Sequence, residues 1–318
     1  MIRSRILTKA SDFESVRVLW ERLALRPEAT VFQQFHWNRL AAELFADREE
    51  PHVIVASRGE DAVILPLAIR KSGTAALLGE TLFDYRDMLS TGDQELEHDV
   101  LAEASQLGLP LEITALRADI AGRWHIFEHQ PFCKAPSIVR ANCSAEHLIE
   151  MHRRLGRLSW RIASRGVTLQ RRDGSDSALV RDLYLKKSTQ EGSLFKDPLR
   201  REFMDRICFE EGNRCQIYTF ETATDLVAAI LTLRSDDRTR HFYTVYFDPA
   251  WGTFSPGQVL LFDAAALTLA DGLDCDFLTG EYPYKMRIAN DAVTLVRIEA
   301  TKEQWQAAIE RRRENIAA

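Results

Sequence analysis

HFYTVYFDPAWGTFSPGQVLLFDAAALTLADGLDCDFLTGEYPYK, residues 241–285, is the stretch on which the fold is read. Aromatic and β-branched residues fill 241–247 and predict a strand. Ser255-Pro256-Gly257 then opens an apolar run to 271 that predicts a helix, and DCDFL at 274–278 predicts a second strand. Ser255 is expected to cap the first amides of that helix, with Pro256 at its first helical position. Gly257 lets backbone approach closely, so amides and helix dipole together could hold an anion there. A polar cluster of Glu281, Tyr282, Tyr284 and Lys285 follows the second strand. Strand, loop, helix, strand and a polar mouth form the usual setting of a phosphate-bearing ligand site in an α/β protein.

The same alternation extends outward over the chain. Helices are predicted at 11–25, 34–46, 93–107, 144–158, 175–191, 197–211, 257–271 and 302–316. Strands are predicted at 52–57, 62–71, 111–116, 132–139, 166–171, 214–220, 226–234, 239–247, 274–278 and 293–298. An α/β fold of mixed sheets flanked by helices is the simplest architecture for that order. A faint repeat runs through it at an offset near 164, with 53–72 matching 217–236 as strand, polar turn, strand. Ser90-Thr91-Gly92 aligns with Ser255-Pro256-Gly257, and 111–115 falls opposite 276–280. Several elements holding one offset in one order imply a duplicated unit. The 318 residues therefore divide into expected domains 1–140 and 141–318, with Pro136 and the polar RANCS stretch at the boundary.

Composition narrows the function classes. A net charge of −6 argues against a protein built mainly to bind nucleic acid. The N-terminal stretch is charged throughout and has no apolar signal-peptide core, and no window holds the ~20 apolar residues of a membrane span. Five cysteines without a C-x-x-C read as reduced thiols, so a cytoplasmic location is expected.

The residues YFDP (246–249), SPG (255–257), DFL (276–278), Gly280 and Tyr284-Lys285 resemble the GNAT-like acetyltransferase domain of CelD-type cellulose and exopolysaccharide biosynthesis proteins. Leu65-Pro66-Leu67 and the DYRD of 84–87 extend the likeness to roughly residues 30–290. That group is related to the Fem-type aminoacyltransferases, which are tandem GNAT-like folds. The resemblance implies an acyltransferase that moves an acetyl or other acyl group from acyl-CoA by direct attack. The implied acceptor is an amine or hydroxyl of a sugar, nucleotide-sugar or polysaccharide precursor. Coenzyme A would lie along Val245, Tyr246 and Phe247, with its pyrophosphate on amides around Ser255, Gly257 and Gln258. No metal is implied. The segment around His36-Trp37 and the pair Asp84 and Tyr85 are implied to contact substrate. Single-domain GNAT enzymes carry a Gln/Arg-x-x-Gly-x-Gly pyrophosphate loop, which this chain lacks; Fem-type relatives lack it too and use aminoacyl-tRNA.

Acyl transfer from a thioester needs the acceptor deprotonated, the oxyanion stabilised and the leaving thiolate neutralised. An amide near Val245–Phe247 is the oxyanion candidate, and Glu281, following a strand end, is the candidate general base. Tyr284 or Tyr282 could protonate the thiolate, and Lys285 could meet a phosphate or carboxylate of substrate. The competing reading makes Glu281 and Lys285 an ion pair four residues apart and the tyrosines packing groups.

Seven arginines fall between 153 and 172, of which Arg153, Arg157, Arg161 and Arg165 keep a four-residue spacing with Trp160 interleaved. On a continuing helix they would form a basic stripe able to hold phosphates, although a solvated helix face is the commoner meaning of such a run. His125, Glu128 and His129 fit H-x-x-E-H, but Pro131 truncates any helix that would present them to zinc. No Ser-His-Asp or Cys-His nucleophile set is legible. Two alternatives stand beside the acyl-CoA reading: a Fem-type aminoacyl-tRNA-dependent transferase, and a catalytically lapsed scaffold of a polysaccharide-synthesis complex.

Overall fold

The computed structural model of the chain describes residues 3–79, 82–236 and 238–317, with side chains to residue 312. In chain order the elements are β1 (Arg3–Leu7), α1 (Arg17–Ala24), α2 (Phe35–Leu44), β2 (Glu49–Arg58), β3 (Asp61–Arg70), β4 (Ala75–Leu77) and β5 (Leu89–Ser90). Then come α3 (Gln94–Ser105), β6 (Leu111–Arg117), β7 (Gln130–Ile138), α4 (Ala145–Met151), α5 (Arg153–Ala163), β8 (Thr168–Asp173), α6 (Ser177–Ser188) and α7 (Pro198–Glu211). The chain closes with β9 (Cys215–Glu221), β10 (Leu226–Arg234), β11 (Thr239–Phe247), α8 (Pro256–Ala270), β12 (Asp274–Asp276), α9 (Pro283–Ile288), β13 (Asp291–Ala300) and α10 (Lys302–Ala317). Two compact units result, one of 1–133 with 294–318 and one of 134–293.

In the first unit, strands run β1-β2-β3-β4 antiparallel, and β4 meets β6 in parallel. Period-two alternation explains the two-sided burial. Val53 and Val55 of β2 pack with α1 and α2, whereas Ile54 and Ala56 pack with α3 and Trp305 of α10. In the second unit, β8-β9-β10-β11 are antiparallel and β11 meets β12 in parallel. The pairing order is the same in both units, and a helix (α3 or α8) precedes the parallel strand in each. Each unit also bends just there: Ala115 and Leu278, 163 residues apart, have φ of 56° and 58°. That conformation is rare for non-glycine residues. The mixed α/β fold and its duplication are therefore real features of the chain.

The unit boundaries differ from the expected division at 140 in two respects, since the first break falls after Cys133 and the C-terminal residues change sides. Residues from Thr294 onward belong with the N-terminal unit, because Leu295–Ala300 of β13 pairs antiparallel with Leu111–Arg117 of β6. Residues 137–138 of β7 conversely pair with Cys275 and Asp276 of β12. Periodicity reports that a segment is a strand and is silent on which neighbour it will join.

Candidate functional site

Helix α8 is apolar all round, with Val259, Leu260, Leu261, Phe262, Ala264 and Ala265 buried, so it sits against the sheet of the second unit. Its first turn is unusual. Ser255 has φ 50° and ψ 50°, and its side chain accepts no capping hydrogen bond. The expectation that Ser255 caps the helix is thus overturned, because the left-handed backbone turns the hydroxyl away from the amides it was to meet. Pro256 supplies no amide, Gln258 N bonds back to Ser255 O at 3.0 Å, and no acidic residue stands in the first turn. The helix start is left open.

The strand beside it is open as well. β12 pairs with β11 only between Thr239–His241 and Asp274–Asp276. Asp276 Oδ1 then accepts from Leu278 N at 2.7 Å, and the positive φ of Leu278 carries the chain out of the sheet. Strand 274–278 was expected; it stops at Asp276 for this reason. Beyond that point the edge of β11 faces outward. Val245 O accepts from Lys187 Nζ at 2.9 Å and Phe247 O from Gln190 Nε2 at 3.4 Å, so both carbonyls lie on that edge. In an extended strand a residue's N–H points to the same side as its C=O, so the amides of Val245 and Phe247 share that edge.

These features meet in a cavity of about 260 Å³ lined by Lys187, Gln190, Val245, Phe247, Gly252, Ser255, Gly257, Gln258 and Tyr284. Six of the residues singled out from sequence are therefore brought together: Val245, Phe247, Ser255, Gly257, Gln258 and Tyr284. A Cβ at Gly257 would stand 3.2 Å from Phe247 Cδ1, so that this ring would have to give by a few tenths of an ångström, and at ordinary contact, 3.5 Å, from Val245 Cγ1. Tyr284 is half-buried on α9, and burial, with Tyr282 adding to it, pushes its hydroxyl up to about 12. It stacks on Tyr282 with centroids 5.8 Å apart.

The other sequence candidates lie elsewhere. Tyr246 pairs with Ala229 and is buried on the opposite side of its strand, as alternation demands. Glu281 and Tyr282 are exposed and do not line the cavity, so Glu281 lacks the burial on which its role as a base rested. Lys285 is buried, with Nζ donating to Thr279 O at 2.8 Å. His36, Asp84 and Tyr85 belong to the first unit. Tyr85 is buried edge-on to Phe32, its carbonyl accepting from Gln33 Nε2, and His36 and Asp84 are half-buried. The H-x-x-E-H histidines are held by carbonyls, His125 Nδ1 by Gly122 O and His129 Nε2 by Trp124 O. Among the described residues no group of three His, Cys, Asp or Glu could hold a metal ion, and no helix is long and apolar enough to cross a membrane.

Two arrangements were not legible in the sequence. Lys187 and Gln190 reach the site from the end of α6, 58 and 57 residues before their strand partners. Ser235 Oγ lies 2.6 Å from His241 Nε2, and His241 Nδ1 lies 3.2 Å from Asp276 Oδ2. That chain has the connectivity of a hydrolase triad, but none of its members lines the cavity. Through Asp276 Oδ1 it fixes the turn at Leu278 instead. The arginine stripe survives in part. Arg153, Arg157 and Arg161 share a face of α5, whereas Arg165 lies past the helix end with its guanidinium 4.3 Å from the Phe254 ring centroid.

Comparison with known proteins agrees with this geometry. Residues 150–286 match the family model described as an acetyltransferase (GNAT) domain. Among curated proteins none matches the sequence. The structure of FemX is similar with a TM-score of 0.62 at 9% identity, covering 96% of this chain and 100% of that one. The C-terminal domain (DUF2156) of a lysylphosphatidylglycerol synthetase candidate from Agrobacterium fabrum also scores 0.62 at 9% identity, over 95% of both chains. A tandem GNAT protein from the clavulanic acid biosynthesis pathway scores 0.50 at 10% identity, covering 94% and 98%. The chain thus has an α/β fold like that of tandem GNAT proteins, and residues 150–286 match the acetyltransferase (GNAT) domain model.

Proposed function

We propose that the protein transfers an acetyl or other acyl group from acyl-CoA to an amine or hydroxyl acceptor, at the cavity between β11 and the start of α8. The observation that carries this reading is the coincidence of two open backbone edges in one cavity, the uncapped start of α8 and the outward edge of β11. The Gly257 amide and the Gln258 side chain would take the donor's pyrophosphate at the positive end of the helix dipole. A backbone amide on the outward edge of β11 would donate to the thioester carbonyl oxygen as it becomes an oxyanion.

The acceptor's nitrogen or oxygen forms its bond to the acyl carbon, and the carbonyl electrons move onto oxygen. Their return expels the thiolate. Tyr284, protonated throughout the neutral range, hydrogen-bonds the sulfur and gives up its proton as the C–S bond breaks. Among the described residues no carboxylate stands in the cavity wall, so the acceptor's proton leaves to bulk water, from which Tyr284 recovers the one it gave up. The likeness to CelD-type proteins supports a sugar or polysaccharide precursor as acceptor.

A second reading has an aminoacyl-tRNA donor, supported by the FemX-like fold and by the exposed arginines of α5. Thiol release from acetyl-CoA, followed with a panel of amino sugars, sugars and simple amines, separates the two. Acceptor-dependent release supports the acyl-CoA reading. Consumption of aminoacyl-tRNA without any thiol release would replace it.

A further inference from the structure

Lys187 stands in the last turn of α6, half-buried against the open edge of β11. Its ammonium donates to Gln190 Oε1 at 2.7 Å and to Val245 O at 2.9 Å. An ammonium has three donors, so these two uncharged acceptors leave one unspent. Among the described residues no carboxylate pairs with it. The neighbouring Lys186, by contrast, has Asp182 within 3.9 Å one turn back. Burial lowers the Lys187 pKa, the sign of a charge held where solvation is poor and no counter-ion compensates. Withdrawing an unpaired charge from water costs free energy unless a ligand supplies the opposite sign. The wall that Lys187 shares with Ser255, Gly257 and Gln258 contains no acidic side chain. Gln190, held between Lys187 and Phe247 O, fixes the direction of the ammonium.

We infer that Lys187 is the cation of the donor's pyrophosphate site, which it lines together with the start of α8. The inference rests on the acyl-CoA reading above and deepens it. A lysine from a helix some 70 residues upstream would take over the charge-binding task that other GNAT enzymes give to a continuous loop. It also makes the site selective for a phosphorylated donor over a bare pantetheine thioester.

Three probes test this on the full chain by titration: acetyl-CoA, S-acetylpantetheine and inorganic pyrophosphate. Lys187→Met keeps the aliphatic stem and should weaken acetyl-CoA and pyrophosphate by roughly ten- to a hundredfold, leaving S-acetylpantetheine within about twofold. It should also flatten the salt dependence of acetyl-CoA binding, and Lys187→Arg should restore most of the affinity. Equal losses for all three probes would reduce Lys187 to a wall of the cavity and overturn the inference. So would unchanged pyrophosphate and acetyl-CoA binding in Lys187→Met, an outcome that leaves the acyl-CoA reading standing. Pyrophosphate binding that depends on Lys187, with no affinity for acetyl-CoA, would keep the anion site and sink the donor. A wild-type protein that binds none of the probes overturns both.

Discussion

Helix α3 of the first unit begins with Asp93, whose Oδ1 accepts from the amides of Glu95 and Leu96 at 3.0 and 3.2 Å. Arg58 in turn pairs with Asp93 and with Glu95. Glu97 is buried one turn on, accepting from Ser90 Oγ at 2.6 Å. Helix α8 of the second unit begins with Ser255, whose side chain caps nothing, and carries no acid in its first turn. The two helices occupy the same place in a duplicated order of strands. One start is sealed by the protein's own carboxylates, and the other is open beside a cavity. A carboxylate cap is worth about 1 kcal/mol to a helix, so leaving α8 uncapped gives up stability that the first unit keeps. Under the proposed function, the same fold serves stability in one half and ligand binding in the other.

The largest effect should come from closing the open start. Gly257→Glu places a carboxylate in the cavity and should weaken acetyl-CoA roughly 100-fold or more while the circular dichroism spectrum is kept. Unchanged affinity in a folded variant would break the comparison at its second term. Tyr284→Phe keeps the ring stack on Tyr282 and should lower kcat by about 10²-fold with donor affinity nearly unchanged. A loss below threefold would remove Tyr284 from the chemistry.

Two carboxylates, one in each unit, are both raised to about 6 by burial but differ in their partners. Asp87 of the first unit accepts from Arg123 at 3.0 Å and from Trp124 Nε1 at 2.7 Å, whereas Asp263, half-buried on α8, accepts among the described residues from Ser159 Oγ only, at 2.7 Å. Burial raises Asp263 to about 6, with the Ser159 bond opposing it. A raised carboxyl pKa favours the protonated folded state. Its contribution is therefore fully present below the unfolded value near 4 and lost as pH rises through about 6. Asp263→Asn should match wild type in stability near pH 4 and exceed it by about 2 kcal/mol at pH 8. An identical difference at both pH values would contradict the assignment. The smallest effect belongs to the sealed helix. Asp93→Ala should cost about 1 kcal/mol in denaturant unfolding and leave acetyl-CoA affinity untouched.

The sequence was most readable where a single segment determines its own structure. Helix α8, the β9–β10 and β10–β11 hairpins and the positions of Gly257 and Tyr284 follow from local pattern. The repeat was legible in the hairpins, but its Ser-Thr-Gly and Ser-Pro-Gly triplets do not play the same part. Ser255 is the residue before α8, whereas Asp93, three residues past Ser90, takes that place before α3. Three strands escaped notice: β1 at the N-terminus, and β4 and β5, which with three and two residues are too short to display alternation. The exposure of Glu281 was not legible, because Gly280, at φ 105°, and Pro283, opening α9, turn the intervening segment to solvent. Lys187 and Gln190 gave no local sign, since their meaning depends on an edge of β11 formed far along the chain.

Isothermal titration of acetyl-CoA into the intact protein, read for stoichiometry as well as affinity, tests the central claim most directly. The open and sealed helix starts predict one micromolar site per chain. Two sites, or a single site that survives Gly257→Glu and is lost in Asp93→Ala, would contradict it.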